Sequence, residues 1–525
     1  MDVDAFTRPH AVQGFRVKTI FRSWFQNRKN RIQRRLDKKH DVATERPTLN
    51  ASNIDYEVAD RDRAVVHGGI GAIHTLVQQL GLPQAIDDRL HLLKVHLPYH
   101  ESDHVLNIAY NALCQGTCLQ DIDLRRNDEA FLDLLGTRRL PDPTTAGDFC
   151  RRFTRADLDA LHDAFDVARL KVWAQQPQPF FTRATIDMDG SLVGTIGQCK
   201  AGMDIAYNGL WGYHPAVLTL AETGEVLRLV NRSGNRPSHE GVAGLVDQSI
   251  AVCRRAGFRR IALRGDTDFS QTEHLDRWHA IPEVRFFFGY NSMNNLETIA
   301  DALPTAAWTP LQRPARYDVK TQPRTRPENV KDRIVKARGF EVLRLQSEEV
   351  AEFEYRPMAC ANSYRMVVIR KHISKEKGEK VLFPEERYFF FITNDREWSA
   401  TEVVFEANAR CDQENLLAQL KGGVSALSAP VNTLESNGAW MVMTALAWTL
   451  KAWWALSLPE SPGRWADRHA LEKRRVLGME FKAFVNAFVM IPCQVVRTGR
   501  RLVLRMLGWN PQLMTFFRLV SRLRR

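Results

Sequence analysis

Long uncharged apolar runs are scarce in this chain. The most apolar stretch, "GAWMVMTALAWTLKAWWALSL" (438–458), is broken by Lys451 and has no companion span, so it predicts a buried core helix rather than a membrane span. The N-terminus lacks the apolar stretch of a secretory signal, and only Cys114 and Cys118 of the eight cysteines lie close together. Without a second pair there is no zinc site, and reduced structural thiols in a cytoplasmic protein are expected. No G-x-x-x-x-G-K-S/T loop occurs, which excludes the usual signature of ATP use. Internal repeats and low-complexity runs are also missing.

Positive charge is plentiful. The 525 residues carry a formal net charge of +12, with 44% hydrophobic and 26% charged residues, the proportions of a globular protein. The first 40 residues hold eleven Lys or Arg against three Asp, and the segment from Arg497 onward holds eight Arg and no acid. Such ends suit a polyanion such as DNA. Within the first, "SWFQNRKNRIQRR" (23–35) has the look of a DNA-reading helix, but too few residues precede it for a homeodomain, so a basic helix or arm is the better reading.

Hydrophobic periodicity divides the rest. Three- and four-residue apolar spacing from about 64 to 175 predicts a helical domain, with Ser102 and Thr144 or Thr145 as candidate N-caps. From 183 the pattern turns to strands: "RATIDMDGSLVG", "HPAVLTLAET" and "EVLRLVNR", with Gly224 turning between the last two. A helix stopped by Gly257, the strand "RRIALRGD", the helix "QTEHLDRWHA" and the strand "VRFFFGY" follow. Three antiparallel strands, then helix, strand, helix, strand, is the order of an RNase-H-like α/β core. Residues 291 to about 386 interrupt it with a Pro- and Arg-rich loop and a separate β-rich insertion. "RYFFFITN" leads back to a helix that Ser399 and Glu402 open as a capping box and Gly422 closes. The expected layout is a basic arm (1–60), a helical DNA-binding domain (61–180), the core in two parts (181–290 and 387–430) around the insertion (291–386), and a helical, basic C-terminal region (431–525).

The chemistry gathers at strand ends. "IDMDGS" and "LRGDTDFS" end apolar strands in acids, and residues two apart share a strand face, so Asp187 competes with Asp189, and Asp266 with Asp268. The alternative for each is ordinary turn chemistry. Converging carboxylates become tolerable when divalent cations neutralise them. A third acid lies in "NARCDQENLLAQLKGG" (408–423), where Glu414 sits about 40° and Lys421 about 20° round the helix from Arg410. Two Asp and one Glu can hold two Mg²⁺ ions, with Mn²⁺ a substitute, for in-line phosphoryl transfer. Arg410 and Lys421 would then meet phosphates.

The spacing Arg410-x3-Glu414-x6-Lys421 resembles the R-E-K part of the Y-R-E-K signature of DDE transposases from bacterial insertion sequences. With "DMDGS", "GYHP", "RSGNRPSHEG" and "GDTDFS" in order, the chain is most similar to the insertion-sequence group called thirteen-eighty, from about residue 65 onward. The resemblance implies Asp189, Asp266 and Glu414 as catalytic, metal-binding residues, with Asp187 and Asp268 as second choices. It also implies cut-and-paste transposition: nicking at element ends, release through a hairpin, and attack of 3′-hydroxyls on target DNA. Ala407 stands where the signature has tyrosine, which weakens the hairpin step most. Double-stranded DNA, as terminal inverted repeats and target, is the implied partner of a homodimer at the bacterial nucleoid, with no membrane and no nucleotide cofactor. Further DNA-binding candidates are Trp398, which could stack on a flipped base or be core, and Asn235 and Arg236, which could touch DNA or shape a loop. His214 could reach the metals or be a satisfied structural histidine.

Overall fold

Alternation of apolar and acidic residues along one strand explains how this molecule is put together. In the computed structural model, which describes residues 23–24, 26–34, 54–55, 63–96, 98–313, 328–377, 380–499 and 501–524, the strand Ala184–Gly190 (β1) turns Ile186 and Met188 into the main core. Asp187 and Asp189 therefore point to the opposite face. Residues Ala216–Leu220 (β2) and Glu225–Val230 (β3) pair with it as an antiparallel meander. Gly224, at φ +71°, makes the turn that a residue with a Cβ would strain.

Two further strands, Ile261–Gly265 (β4) and Val284–Tyr290 (β5), lie parallel to β1 on its other side. Helix Ala243–Ala256, closed by Gly257 in the left-handed region, and helix Thr272–His279 make the crossovers. The sheet does not stop there. The short strand Thr309–Pro310 (β6) and the long strands Glu341–Tyr355 (β7), Tyr364–Lys377 (β8) and Lys380–Thr393 (β9) extend it, in the order β6-β7-β8-β9-β5-β4-β1-β2-β3. The β-rich segment expected as a separate insertion is thus continuous with the central sheet through β9 and β5. "FEVLRL" and "EFEYRP" belong to one strand with an irregularity between Leu345 and Ser347.

Helices cover both faces. Residues Ala400–Asn408 (α1) pack Val403, Val404 and Ala407 on Ala262 and Phe287, the face to which Asp187 and Asp189 point. Ser399 and Glu402 form the capping box that starts α1, with Ser399 N–H donating to Glu402 at 2.8 Å. The expected single helix breaks at Ala409 and Arg410. It resumes as Cys411–Ala418 (α2) and ends in a π-turn over Gln419–Gly423. On the main core side lie helices Glu101–Leu113, Arg155–Trp173 and Leu434–Leu456 (α3).

Every residue of α3 from Ser436 to Leu456 is buried, and Lys451 Nζ donates to the Leu477 and Met479 carbonyls at 2.8 and 2.6 Å. Among the described residues no helix is long and apolar enough to cross a membrane. The C-terminal region is not wholly helical: Cys493–Thr498 and Arg501–Met506 form a hairpin whose first strand pairs with Ala64–Val65. Two caps also differ from expectation. His100 precedes the Glu101 helix, Ser102 donating instead to Asp87, and Asp142, not a threonine, caps Pro143–Cys150. Of the basic arm, residues 23–24 and 26–34 are helical, with Arg28 donating to the Leu507 carbonyl; most of the arm and of the Pro- and Arg-rich loop lies outside the described residues.

Candidate active site

Register separates the two acids of β1. Asp187 stands opposite Arg264 of β4, which donates to both its oxygens, at 2.6 and 2.7 Å. Arg264 also reaches Glu406 of α1 at 3.1 Å, and Arg183 pairs with the same Glu406. Buried on all sides, Asp187 is committed to holding strands and helix together. Two residues on, Asp189 has passed the last paired residue of β4 and opens into a cleft of about 620 Å³ shared with Asp266, Asp268, His214, Ser238 and Lys421.

Asp266 follows β4 directly and accepts the Asp268 backbone N–H at 3.0 Å, capping a short turn. Adjacent parallel strands therefore deliver Asp189 and Asp266 side by side. Burial, and next the neighbouring charge of Asp266, push the Asp189 carboxyl up to about 6; the Gly190 N–H and Arg410 oppose this, and Glu414 adds to it. Burial raises Asp266 as well, against the pull of Arg410. Lys421 is lowered by burial, with Asp189 resisting. Two crowded carboxylates whose ionised forms are disfavoured, built of hard oxygen donors, fit a divalent cation.

The third acid is arranged differently. Glu414 is exposed on α2 at the cleft rim; its charge is felt at Asp189, but it does not line the cleft. Among the described residues no three Asp, Glu, His or Cys side chains converge as a ready-made metal cage. Gln413, one residue earlier, is what ties α2 to the sheet: its buried Nε2 donates to the carbonyls of Asp187 and Val217 at 3.2 and 3.0 Å. Gln413→Ala would strand both carbonyls, an expected loss of about 1–3 kcal/mol in urea unfolding.

Other candidates fall in several places. Trp398 is packed on Phe287 with ring centroids 5.3 Å apart, and the Arg183 guanidinium lies 5.0 Å from its centroid. Its ring is half-buried, packed against the smaller core cluster. Ala407 is buried against the sheet, leaving no phenol at that position to reach the cleft. Asn235 and Arg236 are exposed on the loop after β3, where Arg236 pairs with Glu240 at 3.1 Å. The Arg236 carbonyl accepts from His214 Nδ1 at 2.8 Å, leaving Nε2 of that ring beside Gly190, where an added Cβ would come within 2.5 Å of it.

Arg232 organises this loop from beneath, donating to the carbonyls of His214, Pro237, Ser238 and Glu240 at 2.8–3.0 Å. Sequence reasoning passed over Arg232, Arg264 and Gln413. A lone arginine inside the apolar run "IALRG" is the one local sign that could have exposed Arg264.

Residues 57–525 match the family described as "Transposase DDE domain group 1". Among solved structures, one chain from the cryo-EM structure of the piggyBac transposase synaptic complex with hairpin DNA is 10% identical, with a TM-score of 0.34, over 81% of this chain and 84% of that one. At that level no residue correspondence follows. No curated protein matches the chain. Its match over nearly the whole length makes the chain a member of the transposase DDE domain group 1 family.

Proposed function

We propose that this member of the transposase DDE domain family catalyses cut-and-paste transposition of a bacterial insertion sequence, by end cleavage followed by 3′-hydroxyl strand transfer. The observation that carries the reading is the pair Asp189 and Asp266, set on adjacent parallel strands in one cleft, with Arg410 acting on both and Lys421 beside them. The strand order β3-β2-β1-β4-β5, three antiparallel and then two parallel, supports an RNase-H-like core. Asp189 and Asp266 would hold Mg²⁺, and Glu414, exposed on α2, would have to turn toward them to join as the third acid. Ions bound there would supply charge neutralisation at the scissile phosphate and would activate a water or 3′-hydroxyl. Arg410 and Lys421 hold phosphate oxygens, the first as a planar fork, the second as a point charge. The basic arm and helical N-terminal region bind terminal repeats as part of a homodimer, with steep salt dependence.

A second reading, a DNA-binding relative without catalysis, is favoured by the exposure of Glu414, which stands outside the cleft that Asp189 and Asp266 line. One assay separates them. Supplied with DNA carrying the gene and its flanks, plus Mg²⁺, the protein is expected to release the segment and join its 3′ ends to a plasmid. Asp266→Asn and Glu414→Gln should bind the same DNA and do neither. Binding without cleavage by the unaltered protein selects the second reading, and cleavage without joining selects a nuclease.

A further inference from the structure

Between β1 and β2 the chain makes a detour that the catalytic sheet does not need. Residues Val193–Gly194, Asp204–Ile205 and Trp211–Tyr213 form a small antiparallel sheet of their own, separate from the central one. This finger is firmly fastened. Tyr213 donates its hydroxyl to the Ala201 carbonyl at 2.9 Å, and Ala201 N–H donates to the Asn432 carbonyl at 2.8 Å. Lys200 reaches the Val431 carbonyl at 2.7 Å, which anchors the finger to the segment just beyond Lys421. Its tip is a tight turn closed by the Ala206 N–H on the Leu210 carbonyl at 2.8 Å, with Gly209 at φ +83°.

What the finger displays is unusual for a protein surface. Tyr207 at the tip is 92% exposed, Ile196 is fully exposed, and Trp211 is 53% exposed. Exposed side chains of this kind add nothing to the core, and grouped on one small sheet they mark a candidate contact surface. Tyr207 and Leu210 line the same cleft as Asp189, Asp266 and Lys421. A phosphate held by that cleft would have its own nucleoside among these lining side chains. The partner that suits an exposed ring beside a phosphate site is a base taken out of the duplex, because every base offers a π-face to a flat side chain.

We propose that the 193–213 finger is a stacking platform for an unpaired nucleobase next to the scissile phosphate, with Tyr207 as the principal contact and Trp211 as support. This rests on the reading of the cleft as a phosphodiester site and adds the feature that holds the strand there. Because stacking is indifferent to base identity, the platform fixes the position of the strand end and not its sequence.

The test uses full-length protein and a 20-base-pair duplex with a two-nucleotide 3′ tail carrying 2-aminopurine, in Ca²⁺ and without Mg²⁺. Wild type is expected to quench the probe. Tyr207→Ala should lose most of the quenching and about five- to tenfold in affinity for the tailed duplex. Its affinity for a blunt duplex of equal length should be unchanged, and Tyr207→Phe should behave as wild type. Trp211→Ala should give a smaller loss in the same direction. Absence of quenching by wild type overturns the proposal, as does equal loss on blunt and tailed DNA. So does an unchanged DNA response in Tyr207→Ala accompanied by a shift from dimer to monomer in sedimentation, which would make the finger a contact between copies. Should Asp189→Asn still cleave DNA in Mg²⁺, the catalytic reading falls while the Tyr207 quenching result stands on its own.

Discussion

Asp189→Asn is expected to abolish DNA end cleavage and strand transfer while making the folded protein more stable at pH 8. The first effect follows from removing a carboxylate oxygen at the proposed phosphoryl-transfer site, a loss of at least about a thousandfold, or about 4 kcal/mol of transition-state stabilisation. The second follows from the environment of that carboxyl. Burial and Asp266 push Asp189 from its ordinary 3.8 up to about 6, so the folded chain keeps its proton to a higher pH than the unfolded chain does. Between these values the folded state binds more protons, and stability falls as pH rises; above about 6 the penalty is complete and constant.

Asparagine carries no such penalty. The gain over wild type should be near zero at pH 3.5 and grow to about 3 kcal/mol at pH 8. Thermal melts of both proteins at the two pH values, without divalent cations, measure it. A protein that gains stability on losing a carboxylate has kept that carboxylate for something other than folding.

Arg264→Ala should do the reverse, costing about 3–5 kcal/mol of stability, because it strands the buried carboxylate of Asp187 and leaves Glu406 with Arg183 alone. The urea midpoint is expected to fall accordingly, with unfolding at physiological temperature a real outcome for a domain of ordinary stability. Adding Asp187→Asn to Arg264→Ala removes one stranded charge and should restore part of the loss. A cost below about 1 kcal/mol would mean that the pair contributes little to joining β1, β4 and α1.

The contrast between these two aspartates marks where sequence reading succeeds and where it stops. Strand alternation puts Asp187 and Asp189 on one face, and both end an apolar run, so nothing local distinguishes them. The choice came from family resemblance. The physical difference is Arg264, 77 residues away, opposite Asp187 by register. Local signals worked where the physics is local: the Ser399 and Glu402 cap, the glycine turns at 224 and 257, and the apolar strands around the acids. They failed where long-range pairing decides. The bend at Ala409 and Arg410 carries no proline or glycine to announce it. The continuity of β9 with β5, and the C-terminal hairpin closing on Ala64 and Val65, depend on partners distant in sequence. The neighbours that Trp398 meets, Phe287 and Arg183, are likewise distant in sequence.

Glu414 is the point on which the catalytic reading turns, since its side chain stands at the rim and not in the cleft. Binding of Mn²⁺ to the DNA-bound protein, followed by electron paramagnetic resonance, tests its part directly. The expected result is about two tightly held ions in wild type, with Asp189→Asn and Glu414→Gln each losing at least one of them. Unchanged Mn²⁺ binding in Glu414→Gln would contradict the three-acid site and leave Asp189 and Asp266 without their third partner.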